Sequence, residues 1–154
     1  MEEGDFDATQ MEKRMAGELH NGAHIMMNGK PCKITGTTKA KPGKHGSAKA
    51  IIKGMNLLDG KTVEQSFGTG DMVDCPIIKR NEYQLLGVTD DEFLQLMTED
   101  GEMKEDVRLP DKEGMHGDAR KKIEEFLAAE KQVYVQITTI LGNDYCTDAR
   151  EDKD

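Results

Sequence analysis

The chain has 154 residues, of which 36% are hydrophobic and 33% are charged, and its formal net charge is −9. This length fits one medium-sized domain or two small ones, and the composition allows only a modest hydrophobic core. No run of about 18 apolar residues is present, and the acidic start lacks the apolar centre of a signal peptide, so we expect a cytoplasmic protein without a membrane span.

The first half of the chain is predicted to form short strands joined by turns. Residues 1–17 are polar and acidic, and we expect a flexible tail there. Two apolar runs meet at Asn28–Gly29, which is a strong hairpin signal, and two later runs meet at Asp59–Gly60. Between these hairpins, residues 39–50 contain no apolar residue larger than Ala and are expected to form a long loop.

The second half is also predicted to be mostly strands, with one helix. A hairpin is expected at 99–101, and Asp118 is expected to cap a helix that runs down to Lys131. Alternating apolar residues over 132–140 predict a strand, and the residues after Asn143 are expected to form an acidic tail. Many short strands with one helix indicate an all-β protein built from small barrels, and the second half fits the five-stranded OB pattern.

The charge is distributed unevenly along the chain. Residues 1–18 sum to −4, residues 19–85 to +5 and residues 86–154 to −10. No Asp or Glu occurs from Leu19 to Leu58, and such a run favours contact with a phosphate-rich partner. The same run contains seven lysines: Lys30, Lys33, Lys39, Lys41, Lys44, Lys49 and Lys53.

Residues 41–49, KPGKHGSAK, are the most distinctive segment in the sequence. Glycines flank the central Lys44–His45 pair and remove side chains that would crowd a loop tip, and Pro42 stiffens the approach. The pattern therefore presents Lys44 to solvent or to a partner. The neighbouring lysines add a local positive field that attracts phosphate groups.

Three interpretations of this loop compete. A phosphate-binding P-loop is the weakest, because six residues separate Gly36 from Gly43 where that motif has four, and His45 replaces the magnesium-binding Ser or Thr. A solvated hairpin tip without a function and a recognition loop whose lysine is the active group are both compatible with the composition.

The amino-acid sequences of several segments resemble the conserved segments of one protein family. The string PGKHGSAK is similar to the signature of eukaryotic translation initiation factor 5A, the hypusine-containing factor, and of its archaeal counterpart. The segments KPCKI at 30–34, IKRNEYQL at 78–85 and EDVRLP at 105–110 resemble further blocks of that family, in the same order. The resemblance covers roughly residues 16–142. Pro42 and Ser47 are closer to the archaeal form of the loop, so hydroxylation of Lys44 is left open.

This resemblance implies two barrels, an SH3-like barrel at 18–86 and an OB-fold domain with one helix at 87–143, between acidic tails at 1–17 and 144–154. It implies that deoxyhypusine synthase transfers an aminobutyl group from spermidine to Lys44, and that a hydroxylase often completes hypusine. It also implies a non-enzymatic elongation factor, which binds the large ribosomal subunit beside peptidyl-tRNA and relieves stalling. The expected recognition residues around Lys44 are Lys39, Lys41, Gly43, His45, Gly46 and Lys49.

The other residues do not indicate a second functional site in the sequence. His20, His24 and His116 lack metal-ligand spacing with the three cysteines, so neither a metal nor a bound cofactor is expected. Lys79 and Arg80 fit an RNA contact and a solvated barrel edge equally well. A free single-stranded RNA chaperone built on the OB barrel is the alternative function, although aromatic residues are only 5% of the chain, which makes stacking platforms scarce.

Overall fold

The computed structural model describes residues 10–40 and 48–152. Its contacts divide the chain between Ile78 and Lys79 into two compact units. No candidate for a membrane-spanning helix occurs in the part of the chain that the structure describes. The described residues form mostly strands with a single α-helix, which confirms the predicted all-β class.

The N-terminal unit contains a four-stranded antiparallel sheet in the order β2-β3-β4-β5 and a two-stranded ribbon of β1 and β6. A short 3₁₀ turn, Ala16–Glu18, follows β1. The strands are β1 (Met11–Met15), β2 (His24–Met27), β3 (Lys30–Ala40), β4 (Lys49–Asn56), β5 (Thr62–Gly68) and β6 (Met72–Pro76).

Turn residues fix the register of these strands as the sequence predicts. Asn28 and Gly29 both have positive φ, at 52° and 76°, and they join β2 to β3 as a two-residue hairpin turn. Two consecutive positive φ angles match the right-handed twist of the flanking strands, and Asn–Gly adopts them readily. Gly60, with a φ of 77°, has the corresponding role between β4 and β5.

The core of the N-terminal unit is formed by alternate residues of the strands. Ile25, Met27, Cys32 and Ile52 are fully buried, because every second side chain in a strand points to the same face. Ala16, in the 3₁₀ turn, is also part of this core and is 2% exposed. Burying one large aliphatic side chain, such as that of Ile25 or Ile52, contributes about 1.5–3 kcal/mol to the stability of the fold.

The C-terminal unit is a five-stranded antiparallel sheet in the order β11-β10-β7-β8-β9, with one helix. The helix lies between β9 and β10 in the chain, as in an OB fold, and contacts β11 and β10. Its elements are β7 (Lys79–Val88), β8 (Leu94–Met97), β9 (Met103–Lys104), α1 (Gly117–Ala128), β10 (Val133–Ile140) and β11 (Asn143–Glu151).

The helix has an apolar face, and its start and end differ from the predicted ones. Ala119 and Ile123 are buried in the core, and Phe126 and Leu127 pack against it. The prediction that Asp118 caps the helix is wrong, since the N-cap residue is His116, without a side-chain cap bond, and Asp118 lies in the first turn. A carboxylate there is favourable because it faces the positive end of the helix dipole. The helix ends at Ala128 rather than at Lys131.

The predicted tail at 1–17 is wrong for its second part, while residues 1–9 lie outside the described residues. Residues 11–15 form β1, which pairs with β6 from Met11–Pro76 to Met15–Met72. The side chains of β1 are almost all exposed, so the segment shows no apolar alternation. Its order comes from backbone hydrogen bonds to β6, which a sequence pattern does not reveal.

The predicted junction at 86/87 and the predicted tail at 144–154 are also wrong. β7 runs without interruption through Leu86 and Gly87. The register against β8 shifts there, so the segment predicted as a domain junction contains a β-bulge. β11 occupies Asn143–Glu151 and pairs with β10 along its length. It is an edge strand in which the charged residues Asp148 and Arg150 are exposed, and these give it the composition of a tail.

Candidate functional site: the base of the Lys44 loop

The hairpin formed by β3 and β4 carries the lysine segment. Ala40 is paired with Lys49 at the end of both strands, and residues 41–47 connect them. The predicted site residues Lys41, Gly43, Lys44, His45 and Gly46 lie outside the described residues. We use the term loop base for the four described residues that flank this segment: Lys39, Ala40, Ala48 and Lys49.

A β-bulge shapes the hairpin below the loop base. The register of β3 against β4 shifts between Ile34 and Gly36, and the Thr35 hydroxyl donates a hydrogen bond to the carbonyl of Lys53 at 3.2 Å. Bulges increase the local twist of a strand pair. Beyond the bulge the β3 side chains at 37–40 are exposed, whereas their β4 neighbours Ala50 and Ile52 are buried.

The structure brings two of the predicted recognition lysines together at the loop base. Lys49 is exposed and forms no ion pair with another described residue. Lys39 is also exposed, but its ammonium donates a 2.9 Å hydrogen bond to the carbonyl oxygen of Gly17. The two lysines therefore differ in what they offer a ligand, because one is free to approach it and the other is held by the backbone.

Further lysines of the acid-free run are exposed on the same sheet. Lys33 and Lys53 lie on β3 and β4, and Lys30 follows the Asn28–Gly29 turn. The ion pairs of this unit among the described residues join Lys13 to Asp74 and Arg14 to Glu12, in the β1–β6 ribbon. No described acidic group forms an ion pair with the lysines of the four-stranded sheet, and Glu64 lies directly opposite Lys53 in the β4–β5 register. We call Lys33, Lys49 and Lys53, which lie on the side of the sheet away from the core, the lysine face.

The C-terminal unit has the opposite electrostatic character. Residues 79–154 contain twenty Asp and Glu against eleven Lys and Arg, a net charge of −9, whereas residues 1–78 sum to zero. Five of the ten described basic side chains in this unit form ion pairs with carboxylates. Lys104 bridges Asp106 and Asp144, and Arg120 bridges Glu92 and Glu124. The pKa of Lys104 is raised, chiefly by its hydrogen bond to Asp144.

Both units match models of one protein family. Residues 9–71 match the N-terminal domain described as translation initiation factor 5A-like, and residues 77–150 match a domain described as eukaryotic elongation factor 5A hypusine, DNA-binding OB fold. Eukaryotic translation initiation factor 5A-2 of Schizosaccharomyces pombe is 33% identical over 150 residues, which are 97% of this chain and 85% of that protein. The chain belongs to the translation initiation factor 5A family.

Solved structures of the translation initiation factor 5A family agree with this assignment. A family protein from Naegleria fowleri superimposes with a TM-score of 0.84 at 31% identity, covering 92% of this chain and 99% of that one. The factor from Methanococcus jannaschii gives a TM-score of 0.67 at 28% identity, covering 91% and 95%. The predicted family and the predicted fold class are therefore confirmed, and the chain is a member of a family of hypusine-containing translation factors.

In this 5A-family chain one face of the Tyr134 ring, in the C-terminal unit, is already covered. The Arg150 guanidinium lies over the Tyr134 ring, 4.8 Å from its centroid, and donates two 2.8 Å hydrogen bonds to Glu82. The hydrogen bonds from Arg150 hold the pKa of Glu82 below its usual range. One face of the Tyr134 ring is thus covered by a cation and is not available for stacking on a nucleobase.

The remaining candidate groups do not form a second site among the described residues. No cluster of three or more His, Cys, Asp or Glu side chains arranged for a metal ion is found there. Burial raises the pKa of the Cys75 thiol to about 11 and that of Cys146 to about 12, so neither is a nucleophile at neutral pH. Lys79 and Arg80 are exposed at the start of β7, opposite Thr139 and Thr138 of β10.

The residues that support the loop base were not predicted from the sequence. Thr69 donates its amide hydrogen to the carbonyl of Ala48 at 3.0 Å, and Gly17 donates its own to the carbonyl of Thr69 at 2.9 Å. These are backbone contacts between segments far apart in the chain, and no residue type marks them. The only signal was Gly17 itself, in a segment that otherwise lacks turn residues.

Proposed function

We propose that this protein is a cytoplasmic, ribosome-binding translation elongation factor whose working group is a modified Lys44. Deoxyhypusine synthase transfers the aminobutyl group of spermidine to Lys44: a new bond joins the lysine Nζ to the butyl carbon, and 1,3-diaminopropane leaves. The product is deoxyhypusine, which a hydroxylase converts to hypusine. The longer side chain gains a second amine and reaches toward the acceptor end of peptidyl-tRNA on the large subunit.

One observation carries the proposal: the segment with the family signature PGKHGSAK connects β3 to β4, two paired strands that carry exposed lysines without ion pairs to described residues. Phosphate contacts from lysines fix a protein on nucleic acid without reading its sequence. The lysine face therefore supplies the attraction for an RNA-rich particle, and Lys44 supplies the specific group. An acidic C-terminal unit is better suited to face protein or solvent than RNA.

The proposed action is positioning. Proline is conformationally rigid, so a peptidyl-tRNA that ends in proline orients its reactive group poorly. A cationic arm against the tRNA backbone would hold the acceptor end in a reactive orientation, and orientation alone contributes several kcal/mol to a reaction. The bond-forming chemistry then belongs to the ribosome, and this chain is not an enzyme. The same contact would assist termination.

Translation of a reporter with and without a proline run, in a reconstituted system, tests this proposal. We expect wild-type protein carrying modified Lys44 to raise the yield of the proline-containing reporter selectively. Lys44→Arg should lose this effect, because arginine does not accept the aminobutyl group. Lys61→Arg is the matched control, since Lys61 is exposed beside the Asp59–Gly60 turn and outside the lysine face. Equal rescue by Lys44→Arg and wild type would contradict the proposal.

The alternative, a free single-stranded RNA chaperone, makes a different prediction. It requires tight, salt-sensitive binding of naked RNA by unmodified protein, mainly through the C-terminal unit. The charge of −9 on that unit and the covered Tyr134 ring weigh against it. Fluorescence anisotropy with a labelled oligonucleotide separates the two functions, because the elongation factor is expected to bind such RNA weakly whether or not Lys44 is modified.

A further inference from the structure

Lys39 reaches away from the loop and into the N-terminal segment. In the β3–β4 register it is opposite Ala50, which is 2% exposed, so its side chain leaves the sheet on the core side. On that side the ammonium donates to the carbonyl oxygen of Gly17, in the Ala16–Glu18 turn. An ammonium group that already donates a hydrogen bond to a backbone carbonyl is a poor candidate for a phosphate contact.

The Ala16–Glu18 turn is joined to the other end of the loop as well. The amide of Gly17 donates to the carbonyl of Thr69 at 2.9 Å, and the amide of Thr69 donates to the carbonyl of Ala48 at 3.0 Å. A second bond joins the amide of Ala16 to the carbonyl of Asp71 at 2.8 Å. Lys39 precedes residues 41–47 and Ala48 follows them, so both ends of that segment are connected to a single turn.

The fit around Gly17 leaves no space for a larger residue. A Cβ atom at this position would lie 2.8 Å from the carbonyl oxygen of Thr69 and 3.1 Å from its Cβ. The oxygen it would meet is a backbone atom that already accepts the hydrogen bond from Gly17. The close approach of the two backbones therefore depends on glycine at this position.

We propose that Lys39 is a positioning residue, which ties the Ala16–Glu18 turn to β3 and so holds in place the loop base that flanks the segment containing Lys44. The role in presenting Lys44 rests on the proposed function, whereas the tie itself does not. A side chain delivered to an enzyme pocket or to the ribosome is more effective when its base is held in one orientation, since less freedom is lost on binding. Lys39 then acts within the fold and does not belong to the surface that contacts the partner.

Amide hydrogen exchange, followed by NMR on the whole protein, tests the tie. Lys39→Met keeps the aliphatic stem and removes the donor, and Lys61→Met removes an equal charge elsewhere. We expect exchange at the amides of Gly17 and Thr69 to become about fivefold faster in Lys39→Met and to stay unchanged in Lys61→Met, as the loss of one hydrogen bond implies. Unchanged exchange in Lys39→Met would overturn the proposal.

Modification kinetics then test the consequence. Purified deoxyhypusine synthase, spermidine and NAD are incubated with each variant, and kcat and KM for the protein substrate are measured. We expect kcat/KM to fall for Lys39→Met in parallel with the faster exchange, and to recover in Lys39→Arg, which keeps a donor of similar reach. A higher KM with unchanged exchange would mean that Lys39 contacts the enzyme directly and would overturn the positioning role.

A separate outcome would count against the proposed function alone. If wild-type protein is not modified by the synthase, the assignment of Lys44 is wrong, and no variant can change a rate that is zero. The exchange measurement still decides whether Lys39 holds the Ala16–Glu18 turn, since it requires no modified lysine. Gly17→Ala adds an independent check, because its crowded Cβ should accelerate exchange at Thr69 even with Lys39 present.

Discussion

Ala40 pairs with Lys49 across β3 and β4, so the residues that lead into and out of the Lys44 segment lie on neighbouring strands. Paired residues of antiparallel strands have Cα atoms about 5 Å apart. Below this pair the sheet is anchored by the fully buried Ile52 and Ile34. The segment that contains Lys44 therefore connects two strands that a buried core holds in place, which suits a group that acts on a partner.

Replacement of Lys44 by arginine should separate function from folding. We expect Lys44→Arg to change the free energy of unfolding by less than about 0.5 kcal/mol, because a substitution in a polar loop removes no core contact. The same variant should fail to support growth in cells that depend on it. Thermal unfolding and a complementation assay, with Lys61→Arg as control, measure both effects. Normal growth with Lys44→Arg would contradict the role of the lysine.

Gly54 in β4 is predicted to tolerate no side chain. A Cβ there would lie 2.5 Å from Cε of Met27, 3.1 Å from the carbonyl oxygen of Lys33 and 3.2 Å from Cβ of Cys32. Met27 can adjust, but the backbone carbonyl cannot, so overpacking of this kind should cost about 1–3 kcal/mol.

Gly36 provides the matched control for this prediction. It also lies in a strand of the same sheet, but a Cβ built on it meets nothing within 4 Å. Urea unfolding should show a clear loss for Gly54→Ala and little change for Gly36→Ala. Equal stability of the two variants would show that the sheet rearranges around the added methyl group.

Arg120 is expected to hold the helix against the rest of the C-terminal unit. Its side chain is 10% exposed and donates to both carboxylate oxygens of Glu92, at 2.9 Å and 3.4 Å, and to the carbonyl of Pro110 at 3.1 Å. Arg120→Ala should lower the melting temperature by about 5–10 °C, since several partly buried hydrogen bonds are lost together.

Lys122 is the control for Arg120 because it lies two residues further along the same helix. Its ion pair with Asp148, at 2.9 Å, joins two side chains that are 48% and 56% exposed. Exposed pairs of this kind contribute little to stability. Lys122→Ala should therefore melt within about 2 °C of the wild type. A similar loss in both variants would mean that the helix charge matters more than the Arg120 contacts.

The burial of His116 predicts a weak dependence of the free energy of unfolding on pH. Burial lowers the pKa of His116 in the folded state, and the nearby Asp148 opposes this only in part. The unfolded chain then binds the proton more readily, so stability is full above pH 6.5 and falls as the pH drops through the ordinary histidine range.

His116→Gln should reduce this dependence. We expect the difference in urea midpoint between pH 7.5 and pH 5.5 to be smaller in the variant than in the wild type. Asp148 titrates below this window, because its hydrogen bond from Lys122 lowers its pKa. An identical pH response in both proteins would show that another group is responsible.

Local signals in the sequence predicted the hairpins well but not the limits of the two units. Asn28–Gly29 fixes its turn through backbone conformation, and Asp59–Gly60 does so through the positive φ of Gly60 and the hydrogen bond that the Asp59 carboxylate accepts from the amide of Lys61. Ile123 and Ala119 reveal the helix face through their spacing. β1 and β11 were missed because exposed strands at a sheet edge have the composition of tails. Their order depends on pairing with distant β6 and adjacent β10, which no local pattern encodes.

Contacts between distant segments also limited what the sequence could predict about the candidate functional site. Lys44 was found from the glycines around it and from the family signature, both of which are local features of the sequence. Lys39 was predicted as part of a recognition surface because it lies among other lysines. Its contact with Gly17 joins residues 22 positions apart and depends on the packing of the Ala16–Glu18 turn, so only the three-dimensional structure reveals it.

Mass spectrometry of the peptide that contains Lys44, from protein purified from its own cells, tests the central claim most directly. The account predicts an added aminobutyl group on Lys44, and an additional oxygen would show that hydroxylation follows. A Lys44 that is wholly unmodified in growing cells would contradict the claim that this residue is the working group of the protein.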